Sequence, residues 1–260
     1  MEKAWEHFTA YDEGTKHMFA IVGVTFGYVL AMFSPNSAKS AVPLASTGQD
    51  GKTSSLPVMY PRELPTDKKE SFLKIHDFLV EQLLDDLAKN YEAIPEQISW
   101  MSEMMIYNTR GGKMNRGMGV VDVLRAFATA DGRELTHEEV CRGSVLGWCV
   151  EWLQAFFLVA DDVMDKSLTR RGQPCWYKIP RVQEIAVNDS FILESHVFKL
   201  LKIHFGSEPY YLQLLELFLE VDYKTEMGQL LDLTSQPMDK PSDLTRQVSS
   251  SEHICCSSFL

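Results

Sequence analysis

Three aspartates stand at the end of a long apolar segment. Asp161, Asp162 and Asp165 follow residues 155–160, which carry only uncharged apolar side chains. On a helix, carboxylates four residues apart share one face and repel each other, so a bound cation would relieve the repulsion. Mg²⁺ takes one or two protein carboxylates and fills its other positions with water and substrate phosphate. The pattern favours a metal site formed by Asp161, Asp162 and Asp165, with a solvated acidic turn as the alternative.

Two arginines and two other side chains belong to the same candidate site. Arg170 and Arg171 follow the aspartates closely, and planar guanidinium groups match phosphate oxygens bidentately. Gln154 and Phe157 fall on the helix face of Asp161, because the successive spacings are three and four residues. These residues predict a site for a metal-bound phosphate, with an aromatic ring about one helical turn below the acids.

A second basic segment, residues 111–116, precedes an apolar run. It opens with two glycines, which let the backbone approach a ligand closely, and it contains Lys113 and Arg116. At a helix start these two cations would share a face, where free N–H groups and the helix dipole favour an anion. The segment is not a P-loop, because Met114 follows the lysine. It is either a second phosphate site or an ordinary capping turn, and the nearby metal–phosphate candidate favours the first.

Capping signals and apolar periodicity predict helices along the folded part of the chain. Asp67 with Glu70 and Thr136 with Glu139 resemble capping boxes, and the second opens a helix that continues to about Ser167. Further helices are predicted over 96–108, at the apolar run that begins with Val120, from Asn188 and from Pro209. No segment alternates like a strand bounded by turns, so the predicted fold class is all-α.

Charge and cysteine content limit the classes of partner. A formal net charge of −11 disfavours nucleic acid and gives no general attraction for anionic lipid. Five cysteines without a CxxC pair indicate a reducing compartment and no structural zinc. We therefore expect a cytoplasmic protein. A phosphorylated substrate would be repelled by the overall charge, so local cations have to overcome that repulsion.

The N-terminal part differs in composition from the rest. Residues 17–33 carry no formal charge and reach the lower length limit of a transmembrane helix. A membrane anchor, a packed or peripheral helix and a segment outside any stable fold all remain open for them. A linker rich in Ser, Ala, Gly, Thr and Pro follows over residues 34–57. We predict an extension over 1–60, a folded domain over 61–245 and a divergent tail over 246–260.

The motifs together resemble the eukaryotic type of farnesyl diphosphate synthase, within the polyprenyl synthase family. The segments that carry the resemblance are 111–116, 154–165, 169–177 and 223–229. The resemblance implies the isoprenoid synthase helical bundle over about residues 65–245. Family members continue further and carry a second aspartate-rich motif on a later helix. On this comparison we expect a bundle that is incomplete at its C-terminus, with half of the metal cage.

The resemblance also implies a role for each candidate residue. Asp161 and Asp165 match the acids that hold Mg²⁺ on the allylic diphosphate, and Asp162 between them is a further candidate ligand. Arg170 matches the arginine assigned to that diphosphate. The residues that match the isopentenyl diphosphate site are Lys113, Arg116, Gln154 and Arg171. Phe156 and Phe157 match the aromatic pair that closes the elongation pocket and favours a C15 product.

The implied reaction is the condensation of isopentenyl diphosphate with dimethylallyl or geranyl diphosphate to farnesyl diphosphate. Asp161, Asp165 and Arg170 are the expected catalytic residues, and the family implies a homodimer. One alternative is a truncated pseudoenzyme that binds diphosphates or pairs with a full-length synthase without catalysing the reaction. Another is a class I terpene synthase, but Lys113 and Arg116 argue against it because a cyclase takes one diphosphate substrate.

Overall fold

The computed structural model describes residues 58–235, in two compact units that cover 58–208 and 209–235. The first unit contains α1 (Lys68–Asn90), α2 (Pro95–Thr109), α3 (Asn115–Ala130), α4 (His137–Met164) and α5 (Ile185–Phe205). It also contains the strands β1 (Thr169–Arg170) and β2 (Gln173–Pro174) and a short 3-10 helix (Trp176–Lys178). The second unit contains α6 (Tyr211–Ser235). The all-α prediction is confirmed. The segment 17–33 and the tail 246–260 lie outside the described residues.

Side chains predicted from the sequence cap the first and fourth helices. Asp67 accepts a hydrogen bond from the backbone N–H of Glu70 at 2.9 Å. At the start of α4, the N–H of Glu139 donates to the Thr136 hydroxyl at 3.2 Å, and the N–H of Thr136 donates to the Glu139 carboxylate at 2.8 Å. Each cap satisfies an N–H group that has no partner within its helix.

The helix α4 ends earlier than the predicted position near Ser167. Its last residue is Met164, and Lys166 takes a left-handed conformation with φ 56°. The N–H of Ser167 then donates to the carbonyl of Asp162 at 3.0 Å. This is the Schellman arrangement, which a non-glycine residue seldom adopts and which the sequence did not indicate. The helix α5 also begins three residues before the predicted Asn188, at Ile185.

The helix α4 forms the centre of the first unit and packs mainly against α3 and α5. Trp148 and Trp152 are fully buried, and Phe72 of α1 stacks on Trp148 with ring centroids 4.4 Å apart. The Trp148 indole N–H donates to the carbonyl of Phe72 at 2.7 Å. Within residues 58–235, α4 alone is long and apolar enough to cross a membrane, and most of it is buried inside the protein.

The backbones of α3 and α4 touch at two glycines. A Cβ atom added at Gly147 would lie 2.3 Å from the carbonyl oxygen of Gly117, and one added at Gly117 would lie 2.7 Å from the carbonyl oxygen of Gly147. Neither side can yield, because both partners are backbone atoms. The contact therefore fixes the first turn of α3 against the middle of α4.

We predict that Gly147→Ala lowers the free energy of unfolding by about 1–3 kcal/mol, because the new methyl group pushes α3 away from α4. The matched control is Gly143→Ala, one turn earlier in the same helix. Its Cβ would meet the terminal methyl carbon of Leu124, at 2.5 Å, and that side chain can rotate. Urea denaturation should show the control at or slightly above wild-type stability, since alanine is the better helix former by up to about 1 kcal/mol. Equal stability of the two variants would contradict the backbone contact.

Two buried histidines are held neutral in the folded protein. The Nε2 atom of His76 lies 2.6 Å from the Thr109 hydroxyl, and Arg110 Nε donates to His76 Nδ1 at 3.2 Å, so Nε2 carries the proton. Burial and the charge of Arg110 lower the pKa of His76 to about 3. Burial and the charge of Arg142 lower the pKa of His204 to about 4. Both histidines therefore disfavour folding once the unfolded chain binds protons.

We predict that stability falls on acidification through these two side chains. Above about pH 6.5 the folded and unfolded chains both keep them neutral, and below it only the unfolded chain is protonated. Each histidine then contributes about 1.4 kcal/mol per pH unit to the slope of the free energy of unfolding against pH, between roughly pH 6 and pH 5. Urea denaturation at stepped pH should show that His76→Gln and His204→Gln each reduce the slope by that amount. An unchanged slope in both variants would refute the prediction.

Candidate functional site

An arginine bridges two of the three predicted aspartates. Asp161 and Asp162 are both buried, and Arg170 Nη2 lies 3.0 Å from Asp161 Oδ2 and 2.6 Å from Asp162 Oδ1. Arg170 Nε donates to the same Asp162 oxygen at 3.0 Å. These charge-assisted bonds compensate part of the negative charge at the end of α4 and raise the pKa of Arg170. The structure thus brings the acids and the predicted diphosphate arginine together.

The hairpin β1–β2 brings Arg170 back to Asp161 and Asp162. Its two loop residues, Arg171 and Gly172, both have positive φ, at 55° and 79°, as a type I′ turn requires. Arg170 pairs with Gln173 across the turn, and the N–H of Cys175 donates to the carbonyl of Leu168 at 3.1 Å. The left-handed turn after α4 and this hairpin reverse the chain twice within a few residues. Arg170 can therefore reach carboxylates eight and nine positions before it.

Asp165 lies apart from this ion pair. It is the C-cap residue of α4, its backbone N–H donates to the carbonyl of Asp161 at 2.8 Å, and its side chain is exposed. Within residues 58–235, no group of three or more His, Cys, Asp and Glu side chains is close enough to hold a metal ion. The described residues thus provide two of the three predicted metal ligands as a pair. Asp165 as a ligand stays a prediction.

The basic loop between α2 and α3 lies against the hairpin. Arg171 Nη1 donates to the carbonyl of Arg110 at 3.3 Å. A Cβ atom at Gly112 would lie 3.0 Å from the guanidinium carbon of Arg171, so that side chain occupies the space that the glycine leaves. Lys113 in this loop is exposed, and Arg116 in the first turn of α3 is half-buried. Gly112 thus admits a cation from the hairpin, which the sequence did not show.

A buried glutamate that the sequence analysis missed faces this loop. Glu151 is 5% exposed, and its Oε1 atom accepts a hydrogen bond from the N–H of Gly117 at 2.8 Å. Burial raises the pKa of Glu151, while that hydrogen bond and the charges of Arg116 and Arg171 oppose the shift. One signal was available, because Glu151 is the only charged residue between Arg142 and Asp161 in an otherwise uncharged segment.

The electrostatics of the basic half depend on the same three side chains. Burial lowers the pKa of Arg116, the charge of Glu151 opposes that shift, and the charge of Arg171 adds to it. Partial burial lowers the pKa of Arg171 as well, again opposed by Glu151 and reinforced by Arg170. Arginine stays protonated under these shifts. The two guanidinium groups therefore repel each other, and one buried carboxylate compensates part of their charge.

The remaining predicted site residues lie in the middle of α4. Gln154, Phe156 and Phe157 are buried, and the two phenylalanine rings have centroids 4.5 Å apart. A small cleft between α2, α4 and the hairpin is lined by residues that include Asp162, Arg170, Arg171, Tyr107 and Trp176. Gln154 and the two phenylalanines are not among the described residues that line this cleft. Their predicted roles in substrate binding and chain length stay predictions.

Comparison with known proteins assigns the family. The family model described as polyprenyl synthetase matches residues 98–254, which is more than half of the chain. The chain belongs to the polyprenyl synthetase family. This match confirms the resemblance given by the motifs and accounts for the helical fold.

Curated proteins similar to this chain include farnesyl pyrophosphate synthases. The farnesyl pyrophosphate synthase of Saccharomyces cerevisiae is 51% identical over 173 residues, which cover 66% of this chain and 49% of the yeast protein. Farnesyl pyrophosphate synthase 1 of Cannabis sativa is 51% identical over 169 residues, which cover 65% of this chain and 48% of the plant protein. The chain thus spans about half the length of the curated relatives it matches.

Solved structures of the Trypanosoma brucei farnesyl diphosphate synthase share the fold. The complex with minodronate matches with a TM-score of 0.62 and 35% identity, over 70% of this chain and 52% of that one. Another crystal structure of the same synthase matches with a TM-score of 0.61 and 35% identity, over 72% and 52%. The predicted isoprenoid synthase bundle is therefore confirmed for the part of the chain that these structures cover.

We predict that Arg170→Gln lowers the free energy of unfolding by about 1–3 kcal/mol, because it leaves two buried carboxylates without their counter-charge. The cost is at the low end for a buried ion pair, since the Arg170 side chain is 34% exposed. The matched control is Arg171→Gln, which removes the neighbouring charge from a group that donates to a backbone carbonyl. Urea denaturation at neutral pH should show little loss in the control. Equal losses would contradict the bridge.

Proposed function

We propose that this chain supplies the binding site of a Mg²⁺-dependent prenyltransferase, which condenses isopentenyl diphosphate with dimethylallyl or geranyl diphosphate to farnesyl diphosphate. One observation carries the proposal: adjacent arginines of the hairpin join an acidic half and a basic half into a single site. Arg170 binds Asp161 and Asp162, while Arg171 lies against the glycine loop that leads to Arg116. The relatives named farnesyl pyrophosphate synthase support the substrate assignment.

The donor set suits the proposed metal. Asp161 and Asp162 offer hard oxygen atoms, which Mg²⁺ prefers, and Asp165 at the end of α4 is the third predicted ligand. When bound, the ion supplies positive charge that stabilises the departing diphosphate. Arg170 already pairs with both carboxylates, and its single positive charge leaves one negative charge of the acidic pair for a further cation. The two close acids are the feature that fits the ion.

The other residues bind and shield the substrates. Arg170 donates to the allylic diphosphate, and Arg171 with Lys113, Arg116 and Gln154 holds isopentenyl diphosphate through charge-assisted hydrogen bonds. Mutual repulsion between the cations of the basic half falls when a diphosphate enters between them. Phe156 and Phe157 present aromatic bulk along α4 that limits the length of the growing chain. The apolar interior around α4 keeps water from the allylic cation.

A second candidate function is diphosphate binding without catalysis, either alone or as the partner of a full-length synthase. It is favoured by the exposed position of Asp165, which leaves two of the three predicted metal ligands together in the part of the chain that the structure describes. Losing charge stabilisation of the transition state reduces rates by orders of magnitude. Homodimer formation, a cytoplasmic location and membrane anchoring through residues 17–33 stay predictions under both candidates.

One experiment separates the two functions. The purified full chain is incubated with geranyl diphosphate, labelled isopentenyl diphosphate and Mg²⁺, and the products are examined for a C15 diphosphate. Binding of isopentenyl diphosphate is measured in parallel by calorimetry. We expect a C15 product and, for Arg116→Gln, binding weaker by about tenfold, the loss expected for one charge-assisted hydrogen bond.

The matched control for the binding measurement is Arg125→Gln. Arg125 belongs to the same helix, is exposed and pairs with Asp122, so its loss should leave the affinity unchanged. Binding without any C15 product would favour the second candidate. Neither binding nor product would overturn both.

A further inference from the structure

We propose that Glu151 is the positioning residue of the basic half of the site: its carboxylate anchors the first turn of α3 and holds Arg116 and Arg171 toward one diphosphate. The inference rests on the proposed function for its ligand. Glu151 is buried in the middle of α4, two residues before Leu153, in a segment that carries no other charge between Arg142 and Asp161. A charge in such a place is costly unless it has a task.

The first task is to cap α3 from a neighbouring helix. The N-cap residue Met114 is left-handed and makes no side-chain cap hydrogen bond, and the first turn contains no acidic residue. Gly117 is the third residue of α3, where a backbone N–H has no partner within the helix. Glu151 Oε1 accepts that N–H at 2.8 Å and also places a negative charge at the positive end of the helix dipole.

The second task depends on a side chain that cannot move. A Cβ atom at Gly117 would lie 2.8 Å from Glu151 Cγ and 2.6 Å from the ring of Phe72. The stem of Glu151 therefore passes directly over the α-carbon of Gly117, between α3 and α4. Because Gly147 fixes the same crossing one turn earlier, the carboxylate is held rigidly beside the residue that precedes Gly117, which is Arg116.

The charge of Glu151 also acts on the two arginines. Arg116 and Arg171 repel each other, and the carboxylate of Glu151 attracts both. Without that carboxylate, two partly buried cations with no bound anion would move apart or toward solvent. Glu151 thus takes the place of the anion before a ligand binds. The guanidinium groups are already oriented when a diphosphate arrives, which lowers the entropy lost on binding.

Two possible roles of Glu151 lead to opposite expectations for anion binding by Glu151→Gln: a negative charge that only lies near the site, and a residue that positions the cations. The glutamine has nearly the same shape, and its amide oxygen can still accept from the N–H of Gly117. If Glu151 were only a negative charge near the site, its neutralisation would strengthen binding of any anion. If it positions Arg116 and Arg171, the same substitution weakens binding although the site becomes more positive.

The test measures isopentenyl diphosphate affinity of the full chain by calorimetry without Mg²⁺. We expect Glu151→Gln to weaken binding by about tenfold. Glu151→Asp keeps the charge on a shorter stem and should restore part of the affinity. The matched control is Glu138→Gln, which makes the same change in net charge at an exposed position in the first turn of α4. It should leave the affinity within about twofold of wild type.

A ligand-free measurement separates this inference from the proposed function. Nuclear magnetic resonance reports the motion of the Arg116 Nε–Hε group and the exchange of the Gly117 amide. We expect greater motion of Arg116 in Glu151→Gln, with the Gly117 amide still protected. If the wild-type chain binds no diphosphate but Arg116 still moves more in Glu151→Gln than in wild type, the proposed function is refuted and the positioning role is supported.

Unchanged Arg116 motion with equal or tighter binding in Glu151→Gln would overturn the inference. If that variant does not fold, Glu151→Asp with wild-type affinity and unchanged Arg116 motion would overturn it equally.

Discussion

The backbone contact between Gly117 and Gly147 fixes the geometry on which the basic half of the site depends. Helices whose backbones touch cannot slide or rotate without losing the contact, so the start of α3 has one position along α4. That position places the N–H of Gly117 within reach of Glu151, one turn beyond Gly147, and sets Arg116 beside it. The packing of α3 against α4 therefore also determines where the positive charge of Arg116 lies. Small residues at the crossing are therefore as important to the site as the cations themselves.

Each half of the site contains its own counter-charge. Arg170 compensates part of the charge of Asp161 and Asp162, and Glu151 compensates part of the charge of the cations in the basic half. Unpaired charges in a partly buried site would be costly, whereas these pairs keep the ligand-free protein stable. The hairpin connects the two halves, because its type I′ turn directs consecutive arginines toward different partners. The chain has a net charge of −11, so this local arrangement is what makes the site attractive to an anion.

Local signals in the sequence predict the helices and the clusters of charge, but not the contacts that join them. Thr136 and Glu139 indicate a helix start because a cap depends on residues three positions apart. The early end of α4 depends on Lys166, a residue type that rarely takes the left-handed conformation. Glu151 and Gly117 are separated by 34 positions, so no periodicity within one helix could reveal their hydrogen bond. The missed contact between α3 and α4 is thus tertiary, and the glycines that permit it are informative only once the crossing of these helices is known.

The early end of α4 also determines how the three aspartates are arranged. Spacing on an ideal helix pairs Asp161 with Asp165, but the helix stops at Met164 and leaves Asp165 as an exposed cap residue. Asp162 instead turns toward the hairpin and accepts two of the three bonds from Arg170. If a metal ion binds there as proposed, Arg170 has to exchange carboxylate oxygens for other acceptors. A diphosphate brings such acceptors with it, because guanidinium binds phosphate oxygens as readily as carboxylates. The ion and the substrate are then expected to bind with positive coupling, since each lowers the free energy cost of binding the other.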